Sequence, residues 1–482
     1  MSDTNYARDS SAGHKALKAG LWYAISAFLL KGIAFLTTPL FARFMSVAGM
    51  GLFSNLTSWA HILGVVVTLN MEASVSLARF EYGDRIYQYL SSIVLFGSAV
   101  TAACYALAAC FSETVAGWLG VTDYMLHAMF LYFLFSPAAL ILNSKCRICL
   151  QYWRSILTSL LPSGIAVAVS VATVLVARNG GGDALKARTI GYYGVWVAFS
   201  LAVWLYLLLR GRCFRMEHIR FALPLSVPII LHALANNVLG SSDQVMIKRI
   251  CGPEDAGYYA VAYNCGLIVS VLWGAINQAF SPWCYQMMHE KKYGRIGPAA
   301  RPIALSFSVL AFLLILLGPE FLYFMGGSAY MSAARAIPPI ILGYVAQALY
   351  TFYVNIEFFH KKQWQIMIGT VIAALLNIVL NLAFIPRFGY TAAAYTTLTG
   401  YVALLLIHYL FVRRMGLHTI YDMRFHAGLM AVMTTLGLAA TTLYGSLPVR
   451  VSLIFSLSLC ALVAFRGHVK KFLERRKERG TR

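Results

Sequence analysis

The sequence predicts an all-α polytopic membrane protein of about fourteen transmembrane helices, in two pseudo-symmetric six-helix lobes plus a C-terminal helix pair. The first observation is composition: hydrophobic residues make up 60% of the 482 residues and charged residues 12%. Soluble domains carry about 25% charged residues, so this composition excludes an ordinary globular protein. The second observation is a series of apolar runs between Leu21 and Phe465, each long enough to cross a hydrocarbon core of about 30 Å. The third is an internal repeat.

The apolar runs are separated by short connections that leave no room for a soluble domain. The first run, from Leu21 to Phe41, is longer than the apolar part of a signal peptide, and we interpret it as a retained helix. In chain order, the predicted spans are 20–43, 52–78, 87–111, 124–143, 155–177, 189–209, 222–247, 257–287, 302–325, 333–358, 364–385, 390–412, 425–444 and 449–465.

Basic residues predict the orientation, because cytoplasmic loops carry an excess of Lys and Arg. With the N-terminus inside, 29 of the 39 basic residues lie in cytoplasmic segments, nine lie on the other side, and Lys31 is left within a span. Both termini are therefore predicted to be cytoplasmic. The net charge of +21 then reflects topology and attraction to anionic headgroups rather than nucleic-acid binding.

Two segments repeat each other at an offset of 206 residues. Alignment of Gly51 with Gly257 also aligns Arg43 with Arg249. Both copies leave the first helix of a half on the non-cytoplasmic side, which predicts a parallel repeat with the substrate path between two lobes. The chain divides accordingly into a cytoplasmic N-terminal segment (1–19), an N-lobe (20–210), a cytoplasmic linker (211–221), a C-lobe (222–412), a peripheral helix pair (413–465) and a basic cytoplasmic tail (466–482).

Polar side chains inside the spans mark the candidate site, because a charged residue there costs about 2.5–3.5 kcal/mol or more. Lys31 lies near the middle of the first span, which contains no acidic residue, and we expect it to face a central cavity. In the second span, the spacing of His61, Thr68, Glu72 and Arg79 predicts one stripe at 100° per residue. The cavity candidates are Lys31, Glu72, Arg79, His232, Asn236, Asp243 and Gln278, with His61, Arg43, Arg249, Glu357 and His360 as further candidates.

Several of these residues also have a structural interpretation. Arg79 and His360 could mark the cytoplasmic interface, and Glu72 could pair with Arg79. Asn236 could join helices by hydrogen bonds, and Asp243 could brace the loop that follows it. These alternatives stay open at this point.

The motifs that are absent favour a protein that is not an enzyme. The sequence contains no Walker A pattern, no HExxH and no Gly-x-Ser-x-Gly, which argues against an ATP-driven pump or a membrane hydrolase. A single CxxC at Cys146 and Cys149 has no second pair, so we predict neither a metal site nor a cofactor.

Four segments together resemble the polysaccharide transporter branch of the multidrug/oligosaccharidyl-lipid/polysaccharide flippase superfamily, which contains the O-antigen and capsule-unit flippases. Their order, the number of spans and the tails also match, so the resemblance covers essentially the whole chain. The four segments are Pro39–Ser54, Ser242–Tyr259, Ala275–Trp283 and Asn377–Tyr401.

The resemblance implies two bundles around a cationic cavity that alternates between leaflets of the bacterial inner membrane. It also implies the cargo, an undecaprenyl-diphosphate-linked oligosaccharide repeat unit moved from the cytoplasmic to the periplasmic leaflet. Polymerase and other polysaccharide assembly proteins are candidate partners, besides the bilayer itself. A diphosphate needs a cationic partner in low dielectric, and we expect Lys31 to supply it, with Arg79 making the first contact.

Three alternatives remain. Glu72, Asp243 and Glu357 are acidic, as a cation-coupled multidrug or small-molecule antiporter of the same fold would require. A peptidoglycan-precursor flippase would be distinguished by its essentiality for growth. A membrane glycosyltransferase would be expected to carry a large periplasmic loop, and no connection here is long enough.

Overall fold

The computed structural model describes residues 35–149 and 151–459, together with Trp22, Ser26, Leu29, Leu30, Gly32 and Ile33. Every regular element in this part of the chain is a helix. The N-lobe contains α1 (35–44), α2 (Val47–Val67), α3 (Val75–Tyr82), α4 (Ile86–Cys110), α5 (Ser112–Leu119), α6 (Asp123–Ile148), α7 (Tyr152–Asn179) and α8 (Ala184–Gly211).

The C-lobe repeats this order. It contains α9 (Met216–Ile250), α10 (Pro253–His289), α11 (Ile296–Leu316), α12 (Gly318–Gly326), α13 (Ile337–Phe359), α14 (Gln363–Phe388) and α15 (Tyr390–Arg414). Helix α9 bends by 43° between Met216–Val227 and Ile229–Ile250. The peripheral pair is α16 (Met423–Ala439) and α17 (Leu447–Leu459), and α16 packs on α11 and α13.

Among the described residues, eleven helices are long and apolar enough to cross a membrane, or twelve when the bent α9 counts as one span. The first predicted span is described as a continuous helix only from residue 35, and the last only as far as Leu459. The count of fourteen and the residue boundaries of the lobes therefore stay predictions.

The internal repeat extends to the starts of the helices. Helices α2 and α10 begin at Val47 and Pro253, α5 and α12 at Ser112 and Gly318, and α8 and α15 at Ala184 and Tyr390. Each of these pairs is separated by the same 206 residues that separate Gly51 from Gly257. The offset read from one short motif thus relates three pairs of helices across the two lobes.

The lobes meet where α2 packs against α9 and α10, and the two repeated glycines lie at the α2–α10 crossing. A Cβ atom at Gly51 would collide with the carbonyl oxygen of Pro253 and would lie 2.7 Å from the amide nitrogen of Gly257. Reciprocally, a Cβ atom at Gly257 would collide with the carbonyl oxygen of Val47. Since Val47 and Pro253 are related by the same offset, the contact is self-complementary, like that between two copies in a symmetric dimer.

The second predicted span is not one continuous helix. Helix α2 ends at Val67, and Leu69 and Asn70 follow with left-handed φ angles of 58° and 42°. A short 3-10 helix, Met71–Ser74, then leads into α3. Because two left-handed residues break the helical register, the prediction that one continuous stripe extends as far as Arg79 is wrong.

Candidate functional site

A central cavity of about 360 Å³ lies between the lobes, near the α2–α10 crossing. Its wall is built from α1 and the residues just before it, from α2, α7 and α8 of the N-lobe, and from α10 of the C-lobe. Besides one arginine, its polar lining includes Thr38, Thr57, His61, Ser163, Tyr192 and Asn264. A cavity of this kind offers hydroxyl, amide and aromatic groups to a ligand that is partly polar.

The arginine in this wall is Arg188, in the first turns of α8. Its guanidinium carbon lies 3.9 Å from the ring centroid of Phe41 and 3.8 Å from that of Phe53, so two phenyl rings hold the cation between them. One nitrogen, Nη1, lies 2.9 Å from the sulfur of Met50 and 3.6 Å from that of Met45. Cation–π contacts of this geometry contribute about 2 kcal/mol or more when they are shielded from water.

No carboxylate pairs with Arg188 within the described part of the chain. A guanidinium has five N–H donors in a planar fork, and the hydrogen bonds to described residues engage only Nη1, with two weak sulfur acceptors. The side chain is therefore positioned by aromatic packing while most of its donors remain available. Such a fork matches the geometry of a carboxylate or a phosphate.

A second cavity of about 210 Å³ adjoins the first, with which it shares Thr57, His61 and Tyr192. Glu72 lies in its wall, just after the α2 break, and the buried Oε2 atom of this residue has no hydrogen-bond partner among the described residues. Asn237 enters from the C-lobe and donates a hydrogen bond of 2.6 Å to the carbonyl oxygen of His61. The two cavities, which share His61, thus contain a cation and a carboxyl group that form no ion pair with any described residue.

The predicted site residues of the second span lie in two different places. His61, Thr68 and Glu72 line the second cavity. Arg79, beyond the break, lines a separate pocket and donates a 2.8 Å hydrogen bond to the carbonyl oxygen of Gly83. No ion pair joins Glu72 to Arg79, although both residues are described.

Asp243 lies inside the C-lobe, fully surrounded by protein. Its carboxylate accepts hydrogen bonds of 2.8 Å from the Tyr259 hydroxyl and 2.7 Å from Asn381 Nδ2, and a third from the Thr397 hydroxyl. Three donors from three other helices satisfy the carboxylate, as a buried acidic group requires. The geometry is that of an internal brace between α9, α10, α14 and α15, and it lies outside both cavities.

The other predicted residues are dispersed. Asn236 and Gln278 are exposed and line neither cavity. His232 has a buried Nδ1 atom that finds no hydrogen-bond partner among the described residues. Arg43 and Arg249 are exposed, and Arg43 donates a 3.2 Å hydrogen bond to the carbonyl oxygen of Phe324 in α12.

Lys31 lies outside the described residues, so its predicted position in the cavity stays a prediction. The Nδ1 atom of His360 lies 2.9 Å from the carbonyl oxygen of Ile356, within its own helix turn.

Glu357 forms a buried pair with His408. Its Oε2 atom lies 3.0 Å from Nδ1 of His408, and both side chains are at most 1% exposed. The pair joins α13 to α15 inside the C-lobe, and neither residue lines the central cavity or the second cavity. It therefore stabilises the packing of two helices.

Replacing Glu357 with alanine should destabilise the protein by about 1.5–3 kcal/mol, because a buried hydrogen bond to a carboxylate is lost and His408 loses its partner. The thermal unfolding midpoint of the purified protein measures the change. His408→Ala should have a similar effect, and the double variant should add little to either. The control is Glu254→Ala, because Glu254 is exposed and forms no ion pair with a described residue. Equal midpoints for Glu357→Ala and Glu254→Ala would contradict the assignment.

Sequence reasoning missed Arg188, which it counted among the loop cations on the non-cytoplasmic side. The repeat contains the signal that could have found it: the offset of 206 residues aligns Arg188 with Ala394, a fully buried position. A cation at the equivalent of a buried alanine points into the protein rather than into solvent.

Comparisons with known proteins are consistent with this architecture. The solved structure of the lipid II flippase MurJ in its inward closed conformation matches with a TM-score of 0.67 and 14% identity, over 93% of this chain and 99% of that one. An inward-facing multidrug resistance MATE family transporter of the MOP superfamily matches with a TM-score of 0.62 and 12% identity, over 84% and 98%. At these identities the likeness shows the fold, and it confirms the predicted fold class.

Sequence comparisons show the family. A protein of the Lsg locus from Haemophilus influenzae is 23% identical over 288 residues, which cover 58% of this chain and 68% of the relative. A family model described as polysaccharide biosynthesis protein matches residues 16–288. This match spans more than half of the chain and confirms the resemblance stated above: the chain belongs to the polysaccharide biosynthesis protein family.

Proposed function

We propose that the protein is a flippase for an undecaprenyl-diphosphate-linked oligosaccharide repeat unit, used in O-antigen, capsule or exopolysaccharide synthesis. It would move this cargo from the cytoplasmic to the periplasmic leaflet of the bacterial inner membrane, with both termini in the cytoplasm. Polymerase and other polysaccharide assembly proteins would be its partners. Family membership and the two-lobed fold support a transport role in polysaccharide synthesis.

The observation that carries the proposal is Arg188 in the central cavity. A diphosphate brings at least two negative charges, and moving them across a low-dielectric core requires a cationic partner that is not already paired. Arg188 meets this requirement, because two aromatic rings and two thioethers position it and no described carboxylate neutralises it. The hydroxyl and amide groups of the same wall can hydrogen-bond sugars, while the polyprenyl chain stays in lipid.

The packing of the lobes supports alternating access. The lobes touch backbone to backbone at the Gly51–Gly257 crossing, which lies at the predicted periplasmic end. With that end closed, cargo would enter the central cavity from the cytoplasmic side. Export requires the glycine crossing to separate and the opposite end to close.

Reconstitution tests the function directly. Proteoliposomes containing the purified protein should move a fluorescent undecaprenyl-diphosphate-linked oligosaccharide between leaflets, measured as the fraction accessible to a membrane-impermeant quencher. The same sugar on a neutral polyprenyl carrier, which lacks the diphosphate, is the matched control and should move far more slowly. Equal rates for the two lipids, or no movement above empty liposomes, would contradict the proposal.

A second candidate function is a cation-coupled antiporter of small molecules, and the observation that favours it is Glu72. A carboxyl group in a cavity, with one buried oxygen that has no hydrogen-bond partner among the described residues, is a group that could exchange protons or bind a cation. Cation-driven uptake of a fluorescent drug into proteoliposomes, lost in Glu72→Gln, would favour this function. Lipid-linked oligosaccharide transport that persists in Glu72→Gln would favour the flippase.

A further inference from the structure

A third pocket lies at the predicted cytoplasmic end of the N-lobe and is separate from the two cavities described above. It has a volume of about 510 Å³ and is bounded by the end of α3, the start of α4, the end of α6 and the α6–α7 connection. It shares no lining residue with the central cavity or with the second cavity.

Two cations flank one tyrosine of this pocket, and a third cation lines the pocket. Lys145 Nζ lies 3.2 Å from the hydroxyl oxygen of Tyr87 and 5.0 Å from its ring centroid. The guanidinium carbon of Arg210 lies 4.8 Å from the same ring centroid, and Arg79 lines the pocket from the end of α3. Asp84 is the acidic side chain in the lining; it is exposed and forms no ion pair with a described residue.

Lys145 is the informative member of this group, because it is only 7% exposed. Burial of an ammonium group is costly unless a counter-charge compensates it. Within the described part of the chain, its only hydrogen-bond partner is the neutral oxygen of Tyr87, and no carboxylate lies within ion-pair distance. An anion in the adjoining pocket would supply the missing charge.

The rim of the pocket indicates that this anion is attached to an apolar body. Phe80 lines the pocket and is 84% exposed, and Leu77, one turn earlier on α3, is 53% exposed. Large apolar side chains beside a basic pocket fit an amphiphile, whose charged group enters the pocket while its chain lies along the helix. Basic pockets between helices on the cytoplasmic side are suited to phospholipid headgroups.

We propose that this pocket binds a phosphate group, and that the phosphate is presented by the headgroup of an anionic membrane phospholipid. Lys145 and Arg79 would donate charge-assisted hydrogen bonds to the phosphate oxygens, and Arg210 would add to the positive potential. The site is independent of the cargo and would be occupied whatever the central cavity carries.

The experiment is a thermal-shift titration of the purified full-length protein in detergent. Phosphatidylglycerol should raise the unfolding midpoint in a saturable way, whereas phosphatidylcholine and inorganic phosphate at equal concentrations should not. Lys145→Met removes the charge and keeps the apolar stem, and we expect it to weaken the affinity for phosphatidylglycerol about tenfold. Arg79→Gln, at a half-buried position, should weaken it similarly and serves if Lys145→Met does not fold.

The matched control is Arg414→Gln, which removes one charge at an exposed position of the same predicted face and should bind phosphatidylglycerol like the wild type. Equal affinity in the wild type, Lys145→Met and Arg79→Gln would overturn the site. A shift as large with phosphatidylcholine would overturn the requirement for an anion. A shift as large with inorganic phosphate would support the phosphate pocket and overturn the lipid as its source.

Discussion

Replacing Arg188 with alanine is expected to abolish surface polysaccharide in a strain that depends on this protein. A hydrogen bond to a charged group contributes about 1.5–3 kcal/mol, so the loss of a two-pronged contact with a diphosphate should lower cargo binding by at least about a hundredfold. Arg188→Lys should retain part of the activity, because the charge survives while the planar fork does not. Surface polysaccharide from the complemented strain, set against the amount of protein in the membrane, measures the effect.

Two variants separate a binding role from a packing role. Arg188→Met keeps a long side chain whose sulfur can contact the rings of Phe41 and Phe53 and removes the charge, so it should lose transport while lowering the unfolding midpoint less than Arg188→Ala does. Arg178→Ala removes an exposed arginine that stacks on Phe44 at the same end of the molecule, and it should transport normally. Full activity of Arg188→Ala at normal protein levels would remove Arg188 from the mechanism.

Replacing either glycine of the α2–α10 crossing with leucine is expected to stop transport by keeping the lobes apart. A Cβ atom at Gly51 or Gly257 has no room, because the obstacle is the backbone of the facing helix, which cannot rotate away like a flexible side chain. The predicted periplasmic end should therefore fail to close. Thr57 lies in the cavity wall. In a variant without native cysteines, Thr57→Cys should therefore react faster with a membrane-impermeant maleimide added from outside when position 51 or 257 is leucine than when both are glycine.

The matched control for this experiment is Gly194→Leu. Gly194 is also a helical glycine of the N-lobe, but open space surrounds the position of its Cβ atom. Leucine there should leave both transport and labelling unchanged. Normal transport by Gly51→Leu and Gly257→Leu would mean that this crossing does not need to close during the cycle.

The fold was predictable because it depends on features that the sequence displays directly. Apolar runs of membrane-spanning length define the helices, and the Gly51–Gly257 match defines the relation between the lobes. The glycines carried this information for a physical reason: only a residue without a Cβ atom fits where the two backbones touch. The break after α2 was not predictable in the same way, because Leu69 and Asn70 adopt left-handed angles without a glycine or proline to indicate them.

The candidate site was less predictable, because side-chain direction rotates by 100° per residue and small errors change the face. Asn237, not Asn236, reaches the N-lobe, although the two residues are neighbours. Asp243 is buried in a hydrogen-bonded network and Glu357 in a pair with His408, since an acidic group inside a membrane protein can be satisfied by other helices as well as by a cavity. Arg188 was assigned to a loop because its position just before an apolar run has the pattern of an interfacial arginine.

The self-complementary glycine contact has an evolutionary consequence. Residue 51 meets residue 253, and residue 257 meets residue 47, so each half presents to the other the same surface that it receives. A single six-helix ancestor could make that contact with a second copy of itself, and a parallel repeat allows both copies to insert in the same orientation. Two fused halves of this kind could then differ in the residues that line a cavity, as they do where the N-lobe carries Arg188 and the C-lobe carries Ala394. The two halves thus share one packing contact, while at this aligned pair of positions only the N-lobe carries a cation.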